Sequence, residues 1–396
     1  NNIDTLNIDC GFKETSAYLF AQNEQQQKEL DEIYEANNAV GVQSDYVSSL
    51  PYSFPFQKAI EVKGQAKFIP TKYVFALAKA FENMGGSIIQ QCRVTGVENN
   101  DTVTVQTTNG DYSANALVYA THIPPAVNLL HLRCVPYRSY AMAVSLKDNF
   151  PDNLFYDMYD PYHYYRTQEI DGITYLIGGG YDHKTAHEPN TNSCFLQLEA
   201  HMRETFEVDG VNYKWSSQYF EPADGIPYIG HLPGVSKNIY VATGYGGNGM
   251  VYSSVAAMLL TKIINGEETP YKELYHPGRI KPIAGFTTFI QHNADVVKQF
   301  AGKLFDAEKL PELADLAPGE GRLVSYEKQK IALYKDDNGK LYAVNPVCTH
   351  LKCDVKWNVA EKSWDCPCHG ARYDINGKVL TGPADRDLEQ VELKSV

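Results

Sequence analysis

The sequence predicts two kinds of fold in one chain: an α/β (α+β) domain and, after it, a small all-β domain. In the first part, a helix that begins at Pro70 is followed by short β-rich runs that turn residues separate. After Gly319 the chain is a series of short strands and tight turns. Four of the eight cysteines crowd into residues 348–368, whereas the others are scattered. The chain therefore consists of separate modules, and the cysteines mark a site in the second.

The elements of the first module follow from hydrophobic spacing and turn residues. The helix has apolar residues at i, i+3, i+4 and i+7, and Gly85 and Gly86 end it. Strands are predicted at 87–97, 102–107 and 117–121, which gives α/β structure with an inserted antiparallel element.

The rest of the chain is less regular. The strand-like stretches in residues 138–218 predict a mixed sheet. A glycine-rich turn is predicted at 244–249, and an apolar helix follows it at 250–264. A connector follows over 267–318. It contains an amphipathic helix with Phe289, Ile290, Val296, Val297 and Phe300, which we expect to pack against the first domain because its polar face is not basic. The predicted domains are therefore 1–266, 267–318 and 319–396.

The charge of the chain argues against some partners. The net charge is −13, and the excess of acidic residues lies entirely before Gly319. An acidic surface repels phosphate backbones and anionic lipid heads, so we expect neither nucleic acid nor a membrane surface as partner. The longest apolar stretch, at 251–264, is too short to span a bilayer, and the start of the chain has no signal-peptide pattern.

Two Cys-His pairs form the predicted metal site. Cys348 and His350 make the first pair, and Cys366 and His369 make the second, fifteen residues further on. A [2Fe–2S] cluster of Rieske type requires two cysteines on one iron and two histidines on the other. The pair spacing alone leaves a structural Cys2His2 zinc site open as the alternative.

The residues around these pairs carry a family resemblance. Cys-Thr-His-Leu-Lys-Cys at 348–353 and Cys-Pro-Cys-His-Gly-Ala-Arg-Tyr at 366–373 resemble the two cluster-binding loops of Rieske proteins. Gly-Pro-Ala at 382–384, with Pro383, resembles the third loop, which covers the cluster in that family. The resemblance implies a disulfide between Cys353 and Cys368.

The same resemblance implies a redox potential. Rieske proteins of high potential place a serine and a tyrosine hydroxyl near the cluster sulfurs, and these hydrogen bonds stabilise the reduced state. This chain keeps Tyr373 but has Ala371 at the serine position. We therefore expect a potential below that of respiratory-complex Rieske proteins.

The first module resembles FAD-dependent oxidoreductases of the D-amino-acid oxidase/glycine oxidase type, and in particular the bacterial subfamily with a C-terminal Rieske domain. The resemblance is carried by stretches in a fixed order, at 64–70, 117–121, 222–230 and 243–250. It implies that FAD lies along the residues Val94, Ala120, Thr121, Gly246, Gly247, Asn248, Gly249 and Met250. Glycines allow close approach of a planar ligand, and a helix N-terminus stabilises negative charge on reduced flavin. The alternative is a glycine turn that merely starts a buried helix.

The family also opens with a strand and Gly-x-Gly-x-x-Gly, which bind the pyrophosphate. This chain has no such fingerprint, and Asn1 aligns well inside the family pattern. We therefore expect an N-terminal segment to be missing, and we expect FAD in the full-length protein rather than in these residues alone.

The sequence offers one candidate for substrate binding. Arg166, in a run rich in tyrosine and histidine, has the charge to bind a carboxylate, and His183 lies near it in sequence. The alternative is a surface arginine on a strand.

These observations predict a two-module redox enzyme. A flavin domain would oxidise a small amine or amino-acid-like substrate and pass electrons through the cluster to an acceptor protein or a quinone. The alternative is an electron carrier whose first domain is a flavin-free docking scaffold. We expect a cytoplasmic location, since no export signal is visible.

Overall fold

A computed structural model describes residues 2–99, 102–235, 238–279, 294–296, 298–299 and 316–393. The chain forms two compact units. The first contains residues 1–90, 139–182 and 193–217, and the second contains 91–138, 183–192 and 218–396. The predicted connector helix lies almost wholly outside the described residues.

The first unit is built on one large sheet. The elements that lie mostly in this unit are α1 (Asn2–Thr5), β1 (Lys13–Ala21), α2 (Glu24–Ala39), β2 (Ser44–Val47), β3 (Lys58–Lys67), α3 (Pro70–Asn83), β8 (Cys134–Leu146), β9 (Leu154–Asp157), β10 (Tyr164–Ile170), β11 (Ile173–Lys184), α4 (Thr191–Thr205) and β12 (Val208–Pro222). The sheet has the strand order β12-β8-β11-β10-β9-β1-β3-β2. It is mixed, because β1 pairs with β9 in parallel while its pairing with β3 is antiparallel.

The core of the first unit is aromatic. Large rings from the sheet and the following loop pack together, with Phe54 stacked on Phe20 at 4.8 Å and on Tyr165 at 5.4 Å between ring centroids. Leu198 and Met202, from one face of α4, are fully buried in the same cluster. Strand β8 is buried along most of its length. Its residues Tyr140, Met142 and Val144, at alternate positions and therefore on one face of the sheet, contribute to this cluster.

The second unit contains several small sheets. Its elements are β4 (Val94–Asn99), β5 (Val103–Thr107), β6 (Gly110–Ala114), β7 (Leu117–Tyr119), a 3-10 helix (Leu129–Leu132), β13 (Tyr228–His231), β14 (Ile239–Thr243), α5 (Gly249–Ile264), α6 (Lys272–Tyr275), β15 (Gly321–Tyr326), β16 (Gln329–Lys335), β17 (Leu341–Val344), β18 (Lys356–Asn358), β19 (Ser363–Asp365), β20 (Arg372–Tyr373) and β21 (Val379–Thr381).

The strand pairings of this unit separate its α/β part from its all-β part. Strands β4, β5 and β6 form an antiparallel meander. Strand β14 runs parallel to β7 and antiparallel to β13, and α5 follows β14. After residue 319 the strands form two antiparallel sheets, β15-β16-β17 and β18-β19-β20-β21. The predicted α/β and all-β classes are thus both present.

Most predicted elements agree with the structure, and two differ, because the region predicted as a sheet over 138–218 also contains helix α4. The helix from Pro70 ends at Asn83, and the apolar helix runs from Gly249 to Ile264. The strand predicted at 87–97 begins only at Val94. Residues 87–93 are β-rich in composition but, within the described chain, have no strand partner, so their propensity alone does not make a strand. No helix among the described residues has the length and hydropathy needed to cross a bilayer.

Candidate cluster and cofactor sites

The two Cys-His pairs come together in the all-β part. Both loops leave short strands or turns, and the thiols of Cys348 and Cys366 are buried. The thiol of Cys366 hydrogen bonds to Cys348, which lowers the pKa of Cys348 to about 7, while the same contact raises the pKa of Cys366. A thiol whose proton is easily lost is the form that binds iron, so this sulfur pair fits one iron of a cluster.

The two histidines lie beside each other. The ring centroids of His350 and His369 are 5.1 Å apart, with the ring planes at 88°. Both ring nitrogens of His350 are shielded from solvent, and neither has a hydrogen-bond partner of normal geometry in the described part of the chain. Burial lowers the pKa of His350 to about 4, which the backbone of Ala126 offsets only in part. A neutral, unpaired imidazole nitrogen in a buried position is suited to bind a metal.

A disulfide links the two loops. Cys353 and Cys368 are bonded, with their Cα atoms 6.5 Å apart. The three sulfurs of Cys353, Cys366 and Cys368 lie within 4.8 Å of one another, but two of them are used in the disulfide and do not act as metal ligands. The four remaining donors are two thiols and two imidazoles, and the bridge holds their loops together.

A tyrosine hydroxyl points at the sulfur pair. The hydroxyl of Tyr373 lies 3.2 Å from Cys348 Sγ and also accepts from the backbone N–H of Thr349 at 3.2 Å. Ala371 is fully buried and offers no hydroxyl. The predicted tyrosine is therefore in place, and the position of the serine is apolar. Pro383 is buried in the third loop.

The predicted FAD residues gather mainly at one sheet edge. Because β7 and β14 are parallel, with Val241 opposite Tyr119, their carboxyl ends lie at the same edge. Ala120 and Thr121 follow β7, and the glycine-rich turn follows β14. Ligands of α/β sheets bind at the carboxyl ends of strands. We call residues 120–121 and 244–250 the cofactor edge.

The glycine turn of the cofactor edge has the properties that a planar ligand requires. Gly246 has a φ of +56°, and a Cβ there would lie 2.8 Å from Glu221 Oε2. A Cβ on Gly249, the first residue of α5, would meet nothing within 4 Å. Among the described residues no side chain caps this helix, and its N–H groups are bonded to a backbone carbonyl only from Val251 onward, so those of Gly249 and Met250 can face an anionic or polar ligand. Gly247 and Asn248 are exposed, as is Thr121, and Met250 is half-buried.

Two predicted residues lie elsewhere. Val94 starts β4 in the separate meander and is 43% exposed. Arg166 lies in β10 of the first unit, where its guanidinium donates to the carbonyl of Phe68 at 3.2 Å. It is half-buried, and burial lowers its pKa. The ring nitrogen Nδ1 of His183, in the second unit, lies 2.8 Å from the carbonyl oxygen of Lys184.

The sequence did not single out one residue at the cluster site. His131, on the 3-10 helix, is 1% exposed, and its ring centroid lies 4.4 Å from that of His350 and 5.9 Å from that of His369. Burial, and then the neighbouring His350, lower its pKa to about 4. No motif surrounds it, so only the fold reveals its place.

Comparison with known proteins places the chain in a family. The FAD dependent oxidoreductase family matches residues 2–263, and the Rieske [2Fe-2S] domain family matches residues 308–392. The putative Rieske 2Fe-2S iron-sulfur protein YhfW of Bacillus subtilis (strain 168) is 31% identical over 99% of this chain and 77% of its own length. The cytochrome b6-f complex iron-sulfur subunit of Synechococcus sp. (strain JA-2-3B'a(2-13)) is 58% identical over 14% of this chain and 33% of its own length.

Solved structures share the fold of the first part. Glycine oxidase from Geobacillus kaustophilus superposes with a TM-score of 0.61 at 18% identity, over 70% of this chain and 78% of its own. L-amino acid deaminase from Proteus vulgaris superposes with a TM-score of 0.57 at 16% identity, over 70% of this chain and 76% of its own. The chain thus belongs to the FAD dependent oxidoreductase family and carries a Rieske [2Fe-2S] domain, so FAD and a [2Fe–2S] cluster are the cofactors that its two parts imply.

Proposed function

We propose that the protein oxidises a small amine or amino-acid-like substrate with FAD and passes the electrons singly through its Rieske cluster to a separate acceptor. Reduced flavin can give up its two electrons one at a time, and the cluster carries one. The substrate would lose a hydride from the carbon that bears nitrogen. The two electrons would then leave through the cluster in succession, and two protons, one from the substrate nitrogen and one from the reduced flavin, would pass to solvent.

The proposed ligands are Cys348 and Cys366 on one iron and His350 and His369 on the other. The observation that carries this assignment is the buried donor set itself, in which a thiol of lowered pKa lies within hydrogen-bond reach of a second thiol and two imidazoles lie together. When bound, the cluster would supply one-electron storage at a potential that its imidazoles raise, in the range of about −150 to +300 mV.

The remaining assignments are proposals on the same footing. The cofactor edge would hold the FAD, with backbone N–H groups of α5 directed at it. Arg166 would pair with a substrate carboxylate. The predicted division into 1–266, 267–318 and 319–396, the acceptor protein or quinone and the cytoplasmic location stay predictions.

Composition and spectra of the purified full-length protein test this function. We expect two irons, no zinc and one FAD per chain, with both flavin and iron–sulfur absorption. Anaerobic mixing with a panel of glycine, other small amino acids and simple amines should bleach the flavin with at least one member. Zinc in place of iron, or iron without flavin in the full-length protein, would refute the proposal. Full cofactor content without bleaching by any member would refute the substrate class.

A further inference from the structure

The histidine pair of the cluster site does not face open solvent. The ring of His131 packs almost perpendicularly on the ring of His350, with 89° between the two ring planes. It also lies beside the ring of His369, at 5.9 Å between ring centroids. His131 is 1% exposed and His369 is 2% exposed. A residue from the flavin-family part of the chain therefore packs against one side of the two imidazoles, which we call the histidine edge.

His131 is itself held in place by hydrogen bonds. Its Nε2 lies 2.9 Å from the carbonyl oxygen of Pro124, so Nε2–H donates there and Nδ1 is left as the acceptor. The N–H of Asn128 points at that Nδ1 at 3.4 Å, and the side chain of Asn128 caps the 3-10 helix by accepting from Leu130 N–H at 2.9 Å. The ring is thus fixed to the loop that leads back to Thr121.

The same loop is bonded to the cofactor edge. Thr121 Oγ1 donates to the carbonyl of Ile123 at 2.8 Å, and Thr243 Oγ1, at the end of β14, donates to the carbonyl of His122 at 2.6 Å. A short run of covalent and hydrogen bonds therefore joins the cofactor edge to His131 and, through ring contact, to His350. We call residues 121–124, together with His131, the bridge segment.

Other contacts close the same side of the cluster loops. A Cβ on Gly382, beside Pro383, would lie 3.8 Å from the side chain of Ile123, so the third loop packs on the bridge segment. The carbonyl of Gly370 accepts from buried Gln218 Nε2 at 2.8 Å, and a Cβ on Gly370 would lie 2.6 Å from Pro136 Cβ. The second and third loops are therefore fitted closely against earlier parts of the chain.

We infer that the bridge segment is the route by which electrons enter the cluster from the flavin, and that His131 is the positioning residue that holds the cluster's histidine edge against it. This inference rests on the proposed function. Each transfer would move one electron from reduced flavin to a ferric ion, which becomes ferrous, and the proton on the flavin nitrogen would be released to solvent over the two transfers. An electron moves faster between donor and acceptor through packed, bonded protein than across an open gap of the same length.

A consequence concerns the acceptor. Because the chain itself occupies the histidine edge, an external one-electron acceptor does not dock there. It must take electrons from another side of the cluster domain.

Rapid photoreduction of the flavin in the full-length protein tests the inference without the need for a known substrate. The rate of subsequent cluster reduction is followed in wild type, His131→Leu and His131→Gln. Leucine removes the ring and the donor to Pro124, while glutamine keeps an N–H that can reach that carbonyl. Leu129→Ala is the matched control, since Leu129 lies on the same 3-10 helix and is 58% exposed.

We expect His131→Leu to slow the internal transfer about tenfold, in line with the cost of small misplacements in other geometry-limited steps. Glutamine should recover part of the rate, and Leu129→Ala should match wild type. In His131→Leu, the midpoint potential of the cluster should stay unchanged. The rate at which external dithionite reduces the cluster should stay unchanged or rise. These two readouts separate positioning from general damage to the cluster domain.

An unchanged internal rate in His131→Leu would overturn the inference and leave the proposed function standing. Parallel changes in the internal rate, the dithionite rate and the potential would assign His131 a merely structural role and also overturn it. Absence of flavin from the full-length protein would instead remove the proposed function, and the inference with it.

Discussion

The cluster site and the cofactor edge are built in opposite ways. At the cluster site, buried or half-buried side chains are the proposed donors, a disulfide links their two loops, and the hydroxyl of Tyr373 contacts Cys348 Sγ. At the cofactor edge, the proposed contacts come from the backbone of a glycine turn and from a helix N-terminus without a side-chain cap, and several of the residues are exposed. Single side-chain changes should therefore abolish the first site, whereas the second should respond mainly to substitutions of glycine.

The largest effect is expected from the sulfur ligands. Cys348→Ser removes one of the two thiolates proposed for one iron, and we expect loss of nearly all iron and of the iron–sulfur absorption with no loss of FAD. Cys92→Ser is the control, because Cys92 is a cysteine of the same unit whose thiol bonds to Thr107 rather than to the cluster loops. Iron retained at wild-type level in Cys348→Ser would show that the assigned ligand is wrong.

The next effect concerns the disulfide. The double variant Cys353→Ala/Cys368→Ala should destabilise the cluster domain by about 3 kcal/mol, the chain-entropy value for a loop of this length, since the two cysteines are fifteen residues apart. Chemical denaturation followed by loss of cluster absorbance measures this change. A variant that unfolds and loses its cluster at the same denaturant concentration as wild type would contradict a clamping role.

Two glycines of the cofactor edge separate folding from ligand contact. Gly246→Ala forces a side chain into the left-handed region, at φ +56°, beside Glu221, and should cost about 1–2 kcal/mol of stability. The methyl group of Gly249→Ala meets no neighbour within 4 Å among the described residues, so this variant should leave the free energy of unfolding nearly unchanged.

The same pair sharpens the contrast with the cluster site. If FAD approaches α5 closely, Gly249→Ala should still weaken FAD binding, which a flavin fluorescence titration would measure, while the iron content stays at wild-type level. Equal FAD affinity in wild type and Gly249→Ala would show that the flavin does not lie against this turn.

The smallest effect is a change in potential. Tyr373→Phe removes the hydroxyl at Cys348 Sγ and should lower the midpoint potential by about 60 mV, which is about 1.4 kcal/mol for a one-electron couple. Ala371→Ser should shift it in the opposite direction. Tyr342→Phe, whose hydroxyl bonds to Asp336, is the control. An unchanged potential in Tyr373→Phe would mean that its hydroxyl does not stabilise the reduced cluster.

The sequence predicted the two regions to different depths for a physical reason. The proposed cluster ligands Cys348, His350, Cys366 and His369 are close in sequence and of rare type, so local motifs are enough to predict them. The cofactor edge depends on the pairing of β7 with β14, which are far apart in the chain, and this pairing is set by the fold rather than by any local pattern.

Residues outside the motifs show the limit more clearly. His131 meets His350 only because the 3-10 helix after Pro124 packs on the cluster loops, and a lone buried histidine carries no signal in sequence. Residues 87–93 have β-rich composition, yet a strand needs a partner to supply its hydrogen bonds, and pairing begins at Val94. Local patterns therefore predict most of the helices and strands, whereas the contacts of the bridge segment depend on long-range packing.

Nitrogen couplings in the electron paramagnetic resonance of the dithionite-reduced protein test the mixed ligation most directly. We expect couplings from two histidine nitrogens at one spin-bearing centre, and loss of one of them, or of the cluster, in His350→Ala. A reduced protein with an iron–sulfur signal but no histidine nitrogen coupling would contradict ligation by His350 and His369.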